Sequence, residues 1–187
     1  LSDPATAAAP EMTAEQKAMG ERMQKFGTLN ENHELLKKLE GTWNTHGSFW
    51  MDAKGDPVSS DGQSVNAVVL NGRYLEQKFT GTAMGQPYEG HGILGYDNLK
   101  KAFTTVWYDN MGTGLMTAKG TYDEASKTIT FEGSMSCPVT EETERWYKEV
   151  LTIVDDHNFR YETYMKDKDG KEFKSMEITY ARASETK

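Results

Sequence analysis

Hydrophobic and polar residues alternate along most of the chain that follows Gly41, with the period of two that is typical of half-buried β-strands. About ten runs of this kind, rich in β-branched and aromatic residues, lie between short polar turns. In one run, a single face carries Ile129, Phe131, Gly133 and Met135. The pattern predicts a mainly β fold, a single antiparallel up-and-down β-barrel of about ten strands, because closing the sheet removes its exposed edges. A flatter β-sandwich is the alternative.

Clusters of Gly, Asn, Asp and Pro mark the predicted turns. The strongest signal is Leu70-Asn71-Gly72-Arg73, because Asn-Gly accepts the positive φ of a tight hairpin. The other predicted turns lie at 52–57, 81–87, 97–100, 109–112, 123–127, 155–158 and 166–171.

The chain before Gly41 has a helical pattern instead. Thr13 and Gln16 predict a capping box at the start of a first helix. Apolar residues follow at helical spacing, namely Met12, Met19, Met23 and Phe26. A second short helix is predicted over 32–39. We therefore divide the chain into a processed or flexible N-terminal segment (1–11), N-terminal helices (12–40) and a β-barrel domain (41–187).

Size and charge restrict the class of protein. The 187 residues fit one domain. Lys and Arg number 21 against 29 Asp and Glu, a net charge of −8. This balance argues against nucleic acid and anionic lipid as partners, since both require basic surfaces. No apolar run approaches the roughly 20 residues of a membrane-spanning helix.

Two features bear on the compartment, and they point in opposite directions. Cys137 is the single cysteine, so the chain has no internal disulfide, which favours a reducing compartment. The Ala/Pro-rich stretch 1–10 is typical of the remnant of a processed signal peptide, although a sequence trimmed for expression would look the same. We expect a periplasmic or secreted protein.

Three residues form a structural signature. A short helix leads into Gly41 and Trp43 at the start of the first strand, and Arg182 lies near the end of the last strand. Arg182 shares a strand face with Met176, Ile178 and Tyr180, so the cation is in phase with apolar side chains. The arrangement resembles the lipocalin and calycin signature, in which a late Arg packs across the indole at the closed end of the barrel.

A second resemblance covers the chain from about Met12 onward. The sequence is similar to a bacterial family of uncharacterised, usually exported proteins that form a domain of unknown function within the calycin group. The motifs that carry the resemblance are His33-Glu34-Leu35-Leu36 to Trp43, Gly72-Arg73-Tyr74-Leu75, Phe79-Thr80-Gly81-Thr82, Tyr88-Glu89-Gly90, Gly95-Tyr96-Asp97-Asn98, Trp107 to Gly114 and Met176 to Tyr180. The resemblance implies a barrel and brings no established activity with it.

The histidines offer little for metal or haem chemistry. They are widely spread, at His33, His46, His91 and His157. No pair has the spacing of a preformed metal site, so we predict none. His91 lies between two glycines, where a ligand could approach closely. Haem is the sharpest alternative cofactor, and His91 or His46 would have to be its axial ligand.

Enzyme signatures are mostly missing, and we assign no catalytic residues. The sequence has no Gly-x-Ser-x-Gly elbow, phosphate-binding loop or His-Glu-x-x-His motif. An acid–base enzyme would need at least two of Glu132, Glu149 and His91 to converge in a cavity. Asp167 to Gly170 matches only part of a calcium loop, so we predict a hairpin turn there.

Aromatic and methionine side chains exceed what a minimal barrel core requires, which favours ligand binding. We predict that a small apolar ligand is lined by some of Tyr74, Phe79, Tyr96, Trp107 and Tyr147, with His91 as a further candidate. The turns that carry Met84 and Met111 would form an apolar rim, because methionine adapts to varied ligands. Alternatively, the Met12 to Phe26 helix packs over these turns and caps the core.

Two other hypotheses compete with ligand binding. The barrel could be filled and serve as a structural or protein-interaction module, in which case exposed Met and aromatic residues would mediate self-association. Under any of these hypotheses we expect a monomer or a homodimer. A haem-binding barrel is the remaining alternative.

Overall fold

The computed structural model describes residues 11–184, which form two helices followed by ten strands. The helices are α1 (Ala14–Gly27) and α2 (Glu31–Lys38). The strands are β1 (Gly41–Phe49), β2 (Val58–Val69), β3 (Tyr74–Ala83), β4 (Gln86–Asp97), β5 (Ala102–Asp109), β6 (Met116–Asp123), β7 (Thr128–Cys137), β8 (Glu142–Ile153), β9 (Asn158–Lys166) and β10 (Glu172–Arg182).

The strands form a closed antiparallel barrel in which each strand pairs with its neighbours in sequence and β1 pairs with β10. The β1–β10 register runs from Trp43 opposite Arg182 to Phe49 opposite Met176. Closure leaves no free sheet edge. The predicted barrel is confirmed, and the alternative sandwich is wrong.

Because the chain runs up and down, its connections collect at two ends of the barrel. We call one the helical end, since α2 packs there against β3 and β4 and the turns 70–73 and 98–101 lie beside it. The other, the loop end, carries the connections 50–57, 84–85, 110–115, 138–141 and 167–171.

Trp43 seals the helical end. Its indole is buried, lies edge-on to Phe159 with ring centroids 4.6 Å apart, and donates from Nε1 to the Leu39 carbonyl at 3.0 Å. The guanidinium of Arg182 lies 4.1 Å from the centre of the indole ring. The predicted packing of Arg182 across Trp43 is therefore present.

Arg182 also ties the helices to the barrel. Its guanidinium donates to the carbonyls of Glu40 at 2.9 Å, Asp156 at 3.0 Å and Lys38 at 3.4 Å. Gly41 leaves room for it, because a Cβ at this position would lie 2.5 Å from Arg182 Nη1. The Gly41 backbone also has φ of +126°, which L side chains rarely adopt. These two constraints explain the glycine of the signature.

The turns follow the sequence pattern, with one difference in width. The turn predicted at 70–73 is present, and Leu70, Asn71 and Gly72 all have positive φ. Between β3 and β4 the turn is Met84-Gly85 alone, narrower than the predicted 81–87. The hairpin predicted at Asp167 is present, with Asp167 Oδ1 accepting from backbone N–H groups across the turn.

The helix α1 begins at the predicted Thr13–Gln16 capping box, but its predicted position over the Met84 and Met111 turns is wrong. Asn98, in a turn at the helical end, donates to the Phe26 carbonyl at 2.7 Å. Both methionine turns lie at the loop end. Since α1 is attached at the opposite end, it caps neither turn, and none of its residues is buried.

No helix within residues 11–184 is long and apolar enough to cross a membrane. The Ala/Pro-rich stretch 1–10, on which the expectation of export depends, lies outside the described residues.

Replacing Arg182 by Met should lower the free energy of unfolding by about 2–4 kcal/mol, because the variant keeps the aliphatic stem but loses the cation–π contact and the donors to three carbonyls. Urea unfolding would measure the change. Arg22→Met on α1, which has no buried residue, is the matched control and should shift stability by less than about 0.5 kcal/mol. Equal stability of the two variants would contradict the role given to Arg182.

Candidate functional site

A carboxyl group points into the middle of the barrel. Glu149 lies on β8 between Tyr147 and Leu151, which share its face and are 1% and 0% exposed. Across the sheet it is opposite Phe131 on β7 and Thr163 on β9, both of them buried. Glu149 is thus part of the inner wall, about halfway between the two ends.

No side chain neutralises this carboxyl group. Glu149 makes no side-chain hydrogen bond or ion pair with any residue of the described chain. Burial therefore raises the pKa of the Glu149 carboxyl from 4.5 to about 7. A group with this pKa exchanges its proton near neutral pH, which is common at functional sites and rare on strand surfaces.

Three tyrosines share the interior with Glu149. They are Tyr147 on its own strand, Tyr161 on β9 and Tyr180 on β10. Burial and, secondarily, the charge of Glu149 raise the pKa of all three phenols. The tyrosines therefore stay protonated at neutral pH, and the only group among these four that titrates there is the carboxyl.

Thr163 adds an unpartnered hydroxyl. The residue is 3% exposed and lies directly opposite Glu149, and its Oγ1 has no hydrogen-bond partner among the residues that the structure describes. Buried hydroxyls nearly always have hydrogen-bond partners, because burying a hydroxyl without a hydrogen bond costs about 1–3 kcal/mol. Two adjacent polar groups without partners indicate a place where something else can bind.

Some inward-facing side chains beside these groups are partly exposed. At the helical end the inward-facing side chains are fully buried, as Trp43 and Leu94 are. Nearer the middle, Glu149, Tyr161 and Ile178 face inward yet keep partial exposure. We call the space that the inward-facing side chains enclose the lumen.

Aromatic rings lie flat along the inner wall where glycines make room for them. A Cβ at Gly92 would lie 2.8 Å from the Trp107 ring, and one at Gly120 would lie 2.6 Å from the Phe131 ring. Rings that cover glycines occupy the wall and not the barrel axis. A ten-stranded barrel is also wider than the eight-stranded ones whose interior side chains just fill. Both features favour a barrel interior that side chains do not fill completely.

Methionines line the lumen near the loop end. The inward-facing ones are Met116, Met135, Met165 and Met176. None of these four was predicted as a site residue. The signal that identifies them is that each is the first or second inward-facing residue from the loop end of its strand. They form the adaptable apolar part of the site.

Of the predicted site residues, four face inward, and three of these lie away from the helical end. The fourth, Tyr96, packs against Phe103 at that end. Phe79 packs against Tyr88 with ring centroids 5.7 Å apart, and Trp107 donates from Nε1 to the Tyr88 hydroxyl at 3.1 Å. Tyr147 lies beside Glu149. These three can contact a ligand in the lumen.

The structure does not bring the other predicted residues to the lumen. Tyr74 and Tyr96 line a separate pocket of about 240 Å³ at the helical end. His91 lies on the outer face, where it contacts Glu89 at 3.1 Å and stacks on Tyr108. Met84 and Met111 are exposed at loop-end turns, 79% and 51%.

The pocket at the helical end has little to offer a ligand, because its polar groups already have partners. Asn98 donates to the Phe26 and Thr28 carbonyls, and Arg73 donates to the Gly27 carbonyl at 3.0 Å. His33 contacts Asn30. These bonds attach the helices to the barrel.

None of the histidines faces the lumen. His46 lies outside, 2.7 Å from Asp61, and His33 and His157 belong to the helical end. With His91 also outside, the haem alternative loses the axial ligand it requires. In the chain from 11 to 184, no group of three or more His, Cys, Asp or Glu side chains is arranged to hold a metal ion.

The three residues considered for acid–base chemistry do not converge. Glu132 is exposed on the outer face of β7, His91 is outside, and Glu149 is inside. Cys137 is buried at the loop end, where Arg145 donates to its sulfur at 3.4 Å. Although burial disfavours the thiolate, hydrogen bonds led by that of Thr140 lower the pKa of Cys137 to about 7.

Comparisons with known proteins agree with the architecture. Residues 28–182 match the family described as "Protein of unknown function (DUF1579)". The chain belongs to the DUF1579 family. The family description does not mention the calycin group. The closed barrel is consistent with that group.

Solved structures also resemble this DUF1579 chain, and 18 of their chains match it. A protein described as "Rv2717c from M. tuberculosis" is 18% identical, with a TM-score of 0.61 over 84% of this chain and 100% of that one. At this identity the likeness shows the fold alone. A redesigned β-barrel is 17% identical, with a TM-score of 0.40 over 80% of this chain and 95% of that one. No curated protein matches the DUF1579 chain.

The buried carboxyl predicts a specific pH dependence of stability for the DUF1579 barrel. A carboxyl pKa raised from 4.5 to about 7 means that the folded state holds its proton more tightly than the unfolded state. Stability is therefore lost as pH rises between these values. Glu149→Gln removes this penalty, so it should be more stable than the parent by about 3 kcal/mol at pH 8 and nearly equal to it at pH 4.

Urea unfolding of both proteins across pH 4–8 would measure this difference. Glu132→Gln, on the outer face of the neighbouring strand, is the matched control and should show no pH-dependent difference of this size. A Glu149→Gln variant that is less stable than the parent at pH 8 would show that the carboxylate is stabilised in the folded state, contrary to the geometry.

Proposed function

We propose that this protein binds a small, mainly apolar molecule in the lumen, with its head group at Glu149 and its apolar part toward the methionines. The observation that carries the proposal is the Glu149 carboxyl, which is partly exposed on the inner wall, has no partner in the described chain and lies opposite the buried, unpartnered Thr163 hydroxyl. Ligand sites in proteins commonly combine apolar walls with a few polar groups that fix orientation.

The loop end supports the proposal as the route of access. Trp43 and Arg182 close the helical end, so a ligand has to pass the connections at the other end. Exposed apolar side chains occur in several of these connections, at Met51, Met84, Met111, Leu115 and Val139. Such side chains are unfavourable in water and suit a rim over which an apolar molecule passes.

The competing hypotheses have less support. A purely structural barrel would be filled, whereas Ile178, Tyr161 and Glu149 keep partial exposure on the inner wall. The haem hypothesis lacks an inward histidine within the described chain. Self-association and export stay predictions.

Obstructing the lumen should abolish binding of a neutral apolar dye such as Nile red. Ile178→Trp places a large side chain inward between Gly47 and Tyr161, and we expect at least a tenfold loss of affinity in a fluorescence titration. Thr179→Trp adds the same side chain one residue further on, on the outer face, and should leave binding unchanged.

Circular dichroism would establish that both variants keep the β-sheet of the parent. A parent protein that does not bind the dye, or an Ile178→Trp variant that binds it as well as Thr179→Trp does, would refute a binding site in the lumen.

A further inference from the structure

The distribution of charge inside the barrel indicates what kind of head group fits. The inward-facing positions that carry a formal charge are Asp109, Arg145, Glu149 and Arg182. Asp109, at the loop end, accepts from the Tyr88 hydroxyl at 3.0 Å. Both arginines lie at the ends of the barrel, so neither acts on the middle of the lumen.

Each arginine is also fully engaged where it lies. Arg182 covers Trp43 and donates to carbonyls at the helical end. Arg145, at the loop end, donates to the Cys137 sulfur, the Thr140 hydroxyl and the Lys166 carbonyl. The middle of the lumen therefore presents one ionisable acid and no cation to balance it.

We propose, on the basis of the binding function proposed above, that the ligand is a lipophilic amine whose protonated nitrogen pairs with the Glu149 carboxylate. An ammonium group supplies the positive charge and the N–H donors that Glu149 lacks. The Thr163 hydroxyl, opposite Glu149, accepts a further hydrogen bond. The two polar groups without partners are then satisfied by one head group.

The side chains around Glu149 suit a cation. The titratable groups that face it are Tyr147 on β8, Tyr161 on β9 and Tyr180 on β10, whereas β7 presents Phe131. All three phenols stay neutral, so their oxygens and ring faces attract a cation but do not replace Glu149 as its ion-pair partner. Tyr88 on β4 also acts electrostatically on Tyr180. Tyr88 is neutral as well, because burial raises the pKa of its phenol.

An anionic ligand meets the opposite situation. A carboxylate head group beside Glu149 would force one of the two acids to stay protonated, because like charges at short range cannot both ionise. Within residues 11–184, no arginine or lysine lies at mid-lumen to receive it. A neutral alcohol can bind, but it gains nothing from ionisation of Glu149.

The proton balance makes the proposal measurable. Below pH 7, binding of an ammonium ion releases the proton of the Glu149 carboxyl to buffer, which opposes binding. Affinity for the amine should therefore rise between pH 5 and pH 8 by on the order of 100-fold. Affinity for a neutral analogue should not change with pH.

Three ligands of equal chain length separate these cases, namely octylammonium, octan-1-ol and octanoate. Their affinities would be measured by isothermal titration calorimetry at pH 5 and pH 8 for the parent, Glu149→Gln and the outer-face control Glu132→Gln. At pH 8 the parent and the control should prefer octylammonium over octan-1-ol at least tenfold, with octanoate weakest. Glu149→Gln should lose this preference and keep its affinity for octan-1-ol within about twofold.

The outcomes distinguish the two proposals. Binding of octan-1-ol without a preference for octylammonium, or a preference for octanoate, would overturn the amine assignment and leave the binding function standing. A preference for octylammonium that survives in Glu149→Gln would also overturn it, since the general attraction of a cation to an acidic protein would then explain the preference without Glu149. No binding of any of the three ligands would overturn both proposals.

Discussion

The contact between Arg182 and Trp43 is the constraint on which the rest of the structure depends, because it joins the first strand to the last. The two residues face each other in the pairing that closes the barrel, and the same guanidinium holds the carbonyls of the segment between α2 and β1. Gly41 permits the approach, since any side chain there would collide with Arg182. Arg182 therefore takes part both in the strand pairing that closes the sheet and in the attachment of α2 to the barrel.

Sealing one end of a barrel in this way determines where its polar interior can be reached. At the helical end the core is packed around Trp43 and Phe159, and the groups that could bond a ligand already have partners. Away from that end, glycines let aromatic rings lie against the wall, and the methionines near the loop end are partly exposed. The exposure of inward-facing side chains thus increases from the helical end toward the loop end. A molecule that arrives from the loop end would meet Glu149.

Much of this architecture could be predicted from the sequence, and the exceptions have identifiable causes. Strict alternation, as around Phe131, assigns the inward face directly. On β8 apolar residues occupy both faces, with Trp146 and Val150 on one and Tyr147 and Leu151 on the other, so periodicity could not show that Glu149 faces inward. The position of α1 is set by the distant Asn98, which no local pattern reveals. Pairing across strands, and not spacing along them, places Thr163 opposite Glu149.

The interior of this barrel is less stable than the same fold could make it, and the cost is concentrated at one place. An apolar residue at position 149 would remove the cost of burying the carboxyl. A hydrogen-bond partner for Thr163 would remove the cost of burying its hydroxyl. Elsewhere in the barrel, polar groups such as Ser64 and Asn66 are paired although they are equally buried. Local sequence that departs from good packing at a single accessible point is typical of a functional site and not of a structural core. A ligand that satisfies both groups would offset the penalty, so binding and folding are coupled through the same two side chains.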